Sequence, residues 1–459
     1  MNRLILAITA TLLCSAAALA QTFHVRNGNV TYSFPAEITG EMVFNSDRSL
    51  TINSRSFALN ADTEMWTDQT EVENNVVTVI YSGDTASVNI AGNIAQYVDA
   101  AVTDAHVTLT HSDDVAESTC GEITYRLSGT SSDGSFALTG SYKAAYELSG
   151  LNLANTSGAA LNLENGKRNA IVVKSGTVNS LTDGASGAQK GCIACKGHLE
   201  FKGEGELTVN GNASHAIYAK EYIELKNCTV NVVSAVKDGL NCNQYFAMGS
   251  GTLNISGTGD DGIQVSYKDE TDREAEDTGS IIISGGKITA NVTADAAKAL
   301  KCEERMEISG GTFDITVTGD GIWDDEKTKT KASACLASDE NMTINGGDFL
   351  LTATGGGGNS VPSSSSGSVQ PYVSGRGTVT ADHIIKLTDA EGATLAEFTV
   401  PSNYKTSTGG WRPGGSSGSS VLITCPGLTS GTSYTLNLGT ATTSVSAQVT
   451  GKSGPGRPF

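Results

Sequence analysis

Short runs of branched and aromatic residues alternate with Gly, Asn and Ser along most of this chain, and between residues 191 and 347 the alternation becomes a repeat. Its turns align at Gly205, Cys228, Gly251, Gly286, Gly311 and Gly347, with 23 residues from Gly205 to Cys228 and 23 from Cys228 to Gly251. A second column stays in phase with the first: Cys192-Ile193, Ala216-Ile217, Gly239-Leu240, Gly262-Ile263 and Ala299-Leu300 each place a small residue before a branched aliphatic one. β-Branched stretches such as Leu207, Thr208 and Val209, or Ile281, Ile282 and Ile283, favour strands. One such repeat cannot bury its apolar side alone, so repeats must stack. The pattern predicts an all-β chain built on a β-solenoid, a right-handed parallel β-helix of ~22–24 residues per coil, the hand following from the crossover rule.

The same pattern divides the chain. Residues 21–118 read as a small N-terminal β domain or a cap over the exposed edge of the first coil. Residues 119–354 carry the parallel β-helix, 355–370 are a Gly/Ser-rich linker, and 371–459 form a C-terminal β region. Two coils are long: Gly251 to Gly286 spans 35 residues and Gly311 to Gly347 spans 36. The inserts fall at 267–280 and near 324–334; in the second, either Gly321-Ile322 or Cys335-Leu336 holds the aliphatic column. Ahead of all this, Arg3, an apolar run over 4–13 and Ala18-Leu19-Ala20 read as a signal peptide cleaved after Ala20. Cys14 raises a lipoprotein alternative, but Leu12 and Leu13 before it are bulky for that signal. The chain is therefore expected to be exported, to the periplasm, the cell surface or the medium, and no other apolar stretch is long enough to span a bilayer.

Charge and cysteine usage narrow the function. The chain carries 49 Asp+Glu against 30 Lys+Arg, a formal net charge of −19, which argues against a nucleic-acid ligand. Cys195, Cys242 and Cys302 share one inward column, with Ala219 and Val265 between them. Strands stack ~4.8 Å apart, so thiols two coils apart lie near ~9.6 Å, beyond the ~7 Å reach of a disulfide. They are expected to be free and packed as small hydrophobes. Cys192 and Cys195 form a CxxC without a second ligand pair, which favours a structural role over zinc.

If the aliphatic and cysteine columns point inward, the residues between and after them point out. Those outward columns read Ala194, Tyr218, Asn241, Gln264, Lys301 and then Lys196, Lys220, Asn243, Ser266, Glu303. Lys196, Tyr218, Lys220, Asn241, Asn243, Gln264 and Lys301 would hydrogen-bond sugar hydroxyls and pair with uronate carboxylates. Just before the small-residue column stand His215, Asp238, Asp261 (with Asp260 beside it), Lys298 and Asp320. Carboxylates one strand spacing apart repel unless a cation intervenes, so Asp238, Asp260, Asp261 and Asp320 are the candidate metal ligands, for Ca²⁺. Catalytic groupings are thin: neither G-x-S-x-G nor H-E-x-x-H occurs, His215 reads as structural, and Lys298 is the one candidate base for an elimination.

The segments Lys237-Asp238-Gly239-Leu240, Gly259-Asp260-Asp261-Gly262-Ile263, Lys298-Ala299-Leu300-Lys301, Ile308-Ser309-Gly310-Gly311-Thr312-Phe313-Asp314-Ile315 and Gly319-Asp320-Gly321-Ile322 resemble a bacterial carbohydrate-binding family. Its members are calcium-containing parallel β-helices of pectate-lyase-like fold that bind polygalacturonate. The resemblance covers roughly 120–350. It implies a secreted, non-catalytic binder of an acidic polysaccharide such as pectin, with calcium at the Asp-Gly turns of Asp238, Asp260, Asp261 and Asp320; the chain is expected to be a monomer. The chain departs from that pattern at His215 and Lys298, where the family's aspartate position is otherwise occupied. The alternatives are a pectate-lyase-like polysaccharide lyase on the same groove and a surface adhesin or structural solenoid without a sugar ligand.

Overall fold

Hydrogen bonding between equivalent positions of successive repeats builds the molecule. The structure is a computed structural model that describes residues 21–267, 275–319, 322–323, 330–331, 333–340, 342–353, 370–400, 402 and 419–449. Residues 1–20, Asp320, Asp324 and Asp325, and all of 355–370 except Gln370 lie outside them. The fold is all-β. Among the described residues, helix is limited to one short turn, Ala36–Thr39, and one 3-10 turn, Gly92–Ile94, and no helix is long and apolar enough to cross a membrane.

Three parallel ladders run through the repeats, each in chain order. The first passes from Val76–Ser82 through Ile123–Ser131, Ala144–Ala154 and Asn169–Val173 to Met342–Ile344. The second begins in the latter half of Ala144–Ala154 and continues through Val178–Thr182 and Glu206–Asn210 to Asp348–Ala353. The third runs from Ala105–His111 through Gly134–Thr139, Leu161–Leu163 and Gly191–Cys195 to Ala334–Ser338. The first and third ladders reach back before residue 119, so the N-terminal strands join the same sheets as the repeats.

The register read from the columns is observed. Leu161, Ile193, Ile217, Leu240, Ile263, Leu300 and Leu336 pair in succession, which assigns Cys335-Leu336 to the second long repeat. Each is at most 1 % exposed. Alternation along single strands does the sorting: in Thr252–Ser256, Leu253 and Ile255 are buried while their neighbours are half-buried. One continuous core holds residues from Val25 to Leu422, with Phe313 stacked on Phe349 at 4.1 Å. The turn column Gly251, Gly286, Gly311 and Gly347 has φ between 86° and 105°, a region only glycine enters cheaply. A Cβ at Gly251 would sit 2.5 Å from the Cys228 carbonyl oxygen.

Antiparallel strands close the ends. Val98–Thr103 pairs antiparallel with the first strand of the third ladder, and Ser419–Thr424 with the last strand of the second, leaving those edges no free row of N–H and C=O groups. Ile384–Thr388, Thr394–Thr399, Ser433–Asn437 and Thr442–Ser446 form a separate four-stranded antiparallel sheet. It contributes to its own apolar cluster around Ile385, Leu387 and Leu436.

The thiol column behaves as its register requires. Cys195, Cys242 and Cys302 are free, buried and separated by Ala219 and Val265. Burial pushes each of these thiols up to about 12, which removes the reactive thiolate at neutral pH. Protein expressed from Gln21 should therefore react with an aromatic disulfide reagent at Cys120 alone before denaturation, since the other seven cysteines are buried, and at all eight in guanidinium. Rapid native labelling of more than one thiol would contradict this packing.

Candidate functional site

The third ladder presents its outer face as a flat file of aligned side chains. Ala194, Tyr218, Asn241, Gln264 and Lys301 are direct neighbours in register, about one strand spacing apart. Ala194 is buried, and the other four are half-buried. One residue beyond the thiol column, Lys196 and Lys220 are both exposed, and the Lys220 N–H donates to the carbonyl of Cys195, which keeps the two lysines level. Asn243 follows, its amide donating to the Lys220 carbonyl at 3.2 Å. The two lysines thus extend from equivalent positions one strand spacing apart.

The candidate site residues divide by what they touch. Asn241 donates to Asp238 Oδ2 at 2.8 Å, and the Lys301 ammonium lies 3.0 Å from Asp261 Oδ2; both are turned toward the carboxylates behind the face. Gln264 reaches Ser266 at 3.4 Å. Tyr218 stands beside His215, ring centroids 6.0 Å apart, and the Lys190 ammonium sits 4.9 Å from the Tyr218 ring centre and 3.4 Å from its hydroxyl. Lys190 stands immediately before Gly191, level with Ser214, Lys237 and Asp260, a column that the reading of outward positions did not use.

Asp238 and Asp261 are nearly fully buried, at 2 % and 1 % exposure, whereas Asp260 is exposed. Their primary task is visible in the bonds. The Asp238 N–H donates to His215 Nδ1 (3.3 Å), the Asp261 N–H to Asp238 Oδ1 (3.1 Å), and the Lys298 N–H to Asp261 Oδ1 (2.7 Å). Each side chain in the column thus accepts the backbone N–H of the next repeat where the strand begins, a donor that would otherwise be buried without a partner. Asp238 Oδ2 also lies 3.2 Å from His215 Nδ1.

Three carboxylates converge here. Oxygens of Asp238, Asp260 and Asp261 lie within 4.8 Å of one another, an all-oxygen donor set of the kind a hard divalent cation takes. Lys301 supplies one positive charge against the three, so the set fits a further cation electrostatically. Burial pushes the Asp261 carboxyl above the usual carboxylate range even with Lys301 beside it. For Lys301, burial pulls the ammonium down, but the Asp261, Asp260 and Asp238 carboxylates outweigh it and hold the group above its ordinary value. Asp320, the fourth candidate ligand, lies outside the described residues. Lys298, the candidate base, directs its ammonium to the Ala296 carbonyl at 2.6 Å.

A family model for "carbohydrate-binding domain-containing protein" matches residues 106–370, more than half of the chain. No curated protein matches the sequence. Among solved structures, a polysaccharide lyase-like protein from C. thermocellum is 21% identical, with a TM-score of 0.43, over 59% of this chain and 96% of that one.

Removing Lys301 isolates the buried carboxylate. Lys301→Met should cost ~1–3 kcal/mol at pH 7, less than the ~3–5 kcal/mol of a fully buried broken pair because the ammonium is partly exposed. A carboxyl whose folded pKa exceeds its unfolded value stabilises fully below the unfolded value, and that contribution fades as pH rises through the folded one. Without the ammonium the Asp261 carboxyl rises further, so the deficit should be smaller at pH 4 than at pH 7 in urea unfolding. An equal deficit at both pH values would show that Asp261 is not the group Lys301 serves.

Proposed function

The chain belongs to the family of carbohydrate-binding domain-containing proteins, and from that premise we propose that it is an exported, non-catalytic binder of an acidic, polygalacturonate-like polysaccharide. The observation that carries the reading is the exposed Lys196 and Lys220 pair, level one residue past the ends of adjacent strands whose outer face also offers Tyr218, Asn243 and Gln264. A uronate chain laid along the ladder would meet two ammonium groups and a row of amides at strand spacing, a match of charge and of repeat. We take the three ladders to wind as a right-handed parallel β-helix, the hand that parallel crossovers adopt, and the protein to act as a monomer. Lys298 supports binding over elimination, because its ammonium faces the Ala296 carbonyl.

Calcium is part of this proposal. Asp238, Asp260 and Asp261 would hold it, with exposed Asp260 on the solvent side; the ion would supply a positive centre able to bridge protein and uronate carboxylates. In that arrangement Lys301 competes with the ion for Asp261, to which it is bound in the structure. Lys196 and Lys220 orient and hold the anionic chain, Asn241 fixes Asp238, and Tyr218 shields one side of the strip.

Immobilised polygalacturonate should retain the protein in the presence of calcium without any rise in the absorbance of an unsaturated product. The double variant Lys196→Glu, Lys220→Glu should lower retention by at least ~10-fold, equivalent to ~1.4 kcal/mol. Retention left intact would remove this face from consideration, and product formation would replace binding with lyase activity. For the ion, titration calorimetry after chelation should show calcium binding that Asp260→Asn weakens and Lys301→Met strengthens; absence of any calcium heat in the unaltered protein would eliminate the metal.

A further inference from the structure

A cavity lies away from this face, on the outer side of the N-terminal strands. It is a half-open groove of about 420 Å³ between the sheet and the strap of residues 69–75, with Glu71 and Glu73 of the strap and Thr78, Asn89 and Arg126 of the sheet in its lining. Thr78 pairs with Asn89 on one side and with Arg126 on the other, so the three form one row across neighbouring strands. Val72 and Ala91 add apolar surface to the lining.

The cavity is held in shape before any ligand arrives. At one end of the strap the Thr70 N–H donates to Asp68 Oδ1 (2.8 Å), which accepts from His24 Nε2 at 2.9 Å. At the other end the Asn75 N–H donates to Asn93 Oδ1 at 3.1 Å, the Asn75 carbonyl accepts from the Thr124 N–H at 2.9 Å, and its side-chain amide donates to the Cys120 carbonyl. Behind the wall, fully buried Ser33 joins His24 Nδ1 (2.8 Å) to Asn89 Oδ1 (2.6 Å), which fixes the orientation of the Asn89 amide. A strap pinned at both ends and an amide oriented from behind lower the ordering cost of binding.

We propose that this cavity is a binding site for a neutral saccharide of one or two residues. The volume is in the range of small-ligand sites, and the lining combines carboxylate, amide, hydroxyl and apolar groups, as a ring with polar edges and C–H faces requires. Charge argues against an anion. Arg126 is paired with Glu73 at 2.7 Å and reaches Glu147 at 3.5 Å, so an anion meets a guanidinium already neutralised and a second carboxylate, Glu71, that repels it. The carboxylates instead accept from vicinal hydroxyls, while the Asn89 amide nitrogen donates. Only Arg126 of these residues falls within the family-matched segment, and the inference stands independently of the polysaccharide face.

The test uses saturation-transfer NMR and calorimetry on the full chain with methyl glucoside, methyl galactoside, methyl mannoside, N-acetylglucosamine and their neutral disaccharides. Galacturonate and glucosamine serve as charged controls. At least one neutral sugar should bind, and Asn89→Leu and Glu73→Gln should each weaken it by about tenfold, the scale of one lost buried hydrogen bond, with the circular dichroism spectrum and thiol count unchanged. Ser33→Ala, which frees the Asn89 amide without touching the ligand, should weaken binding less. No binding by any neutral sugar overturns the proposal. So does binding insensitive to Asn89→Leu, or glucosamine binding more tightly than every neutral sugar, which would mark the site as a cation trap.

Discussion

Column-over-column hydrogen bonding between parallel strands is the constraint that the rest of this protein obeys. Once Ile193 pairs with Ile217 and Ile217 with Leu240, every other position of those repeats is placed relative to its counterpart, and the inner columns must accept one another's volume. Aliphatic residues fill one such column and alternating thiols and small residues the next. Extra chain can enter only where it does not break a ladder, and the long repeats carry theirs between strands. The ladders also need ends, which antiparallel strands supply at the start of the third and the end of the second.

The same constraint stacks acid on acid. Asp238 and Asp261 occupy equivalent places in successive repeats and are buried there, an arrangement whose desolvation alone would be costly. It is offset because each carboxylate accepts a backbone N–H from the following repeat, and because Lys301 lies against Asp261. The aspartates are thus part of the scaffold before they are anything else. Any cation they bind enters a site that already has a structural task and an internal counter-ion. This coupling explains why a residue on the outer face, Asn241, is tied to the floor beneath it.

Exposed charge remains where the ladders leave side chains without such a task. Lys196 and Lys220 lie just past the thiol column and remain exposed, so their charges face solvent. The N-terminal sheet solves a different problem. There a strap pinned by Asp68, Thr70 and Asn75 stands off from the strands and encloses volume instead of presenting a flat face. The ladder presents an extended face, and the strap bounds a small volume.

Repeat spacing and alternation were enough to determine the all-β class, the aliphatic and thiol columns, the free state of Cys195, Cys242 and Cys302 and the neighbours along the outer face, because a parallel ladder converts equal sequence offsets into contact. They also brought Asp238, Asp260 and Asp261 together. Only the tertiary structure decided what those side chains do: that Lys301 and Asn241 bend back onto the carboxylates, that the Lys190 ammonium approaches the Tyr218 ring, and that Cys335-Leu336 continues the register. It alone showed that the strands at Val76–Ser82 and Ala105–His111 already belong to the ladders, and that Asp68, His24, Ser33 and Asn89, dispersed along the sequence, form one network. Periodicity specifies which residues are vertical neighbours; it carries no information on rotamers, on loops that follow no period, or on pairings between segments that do not resemble each other.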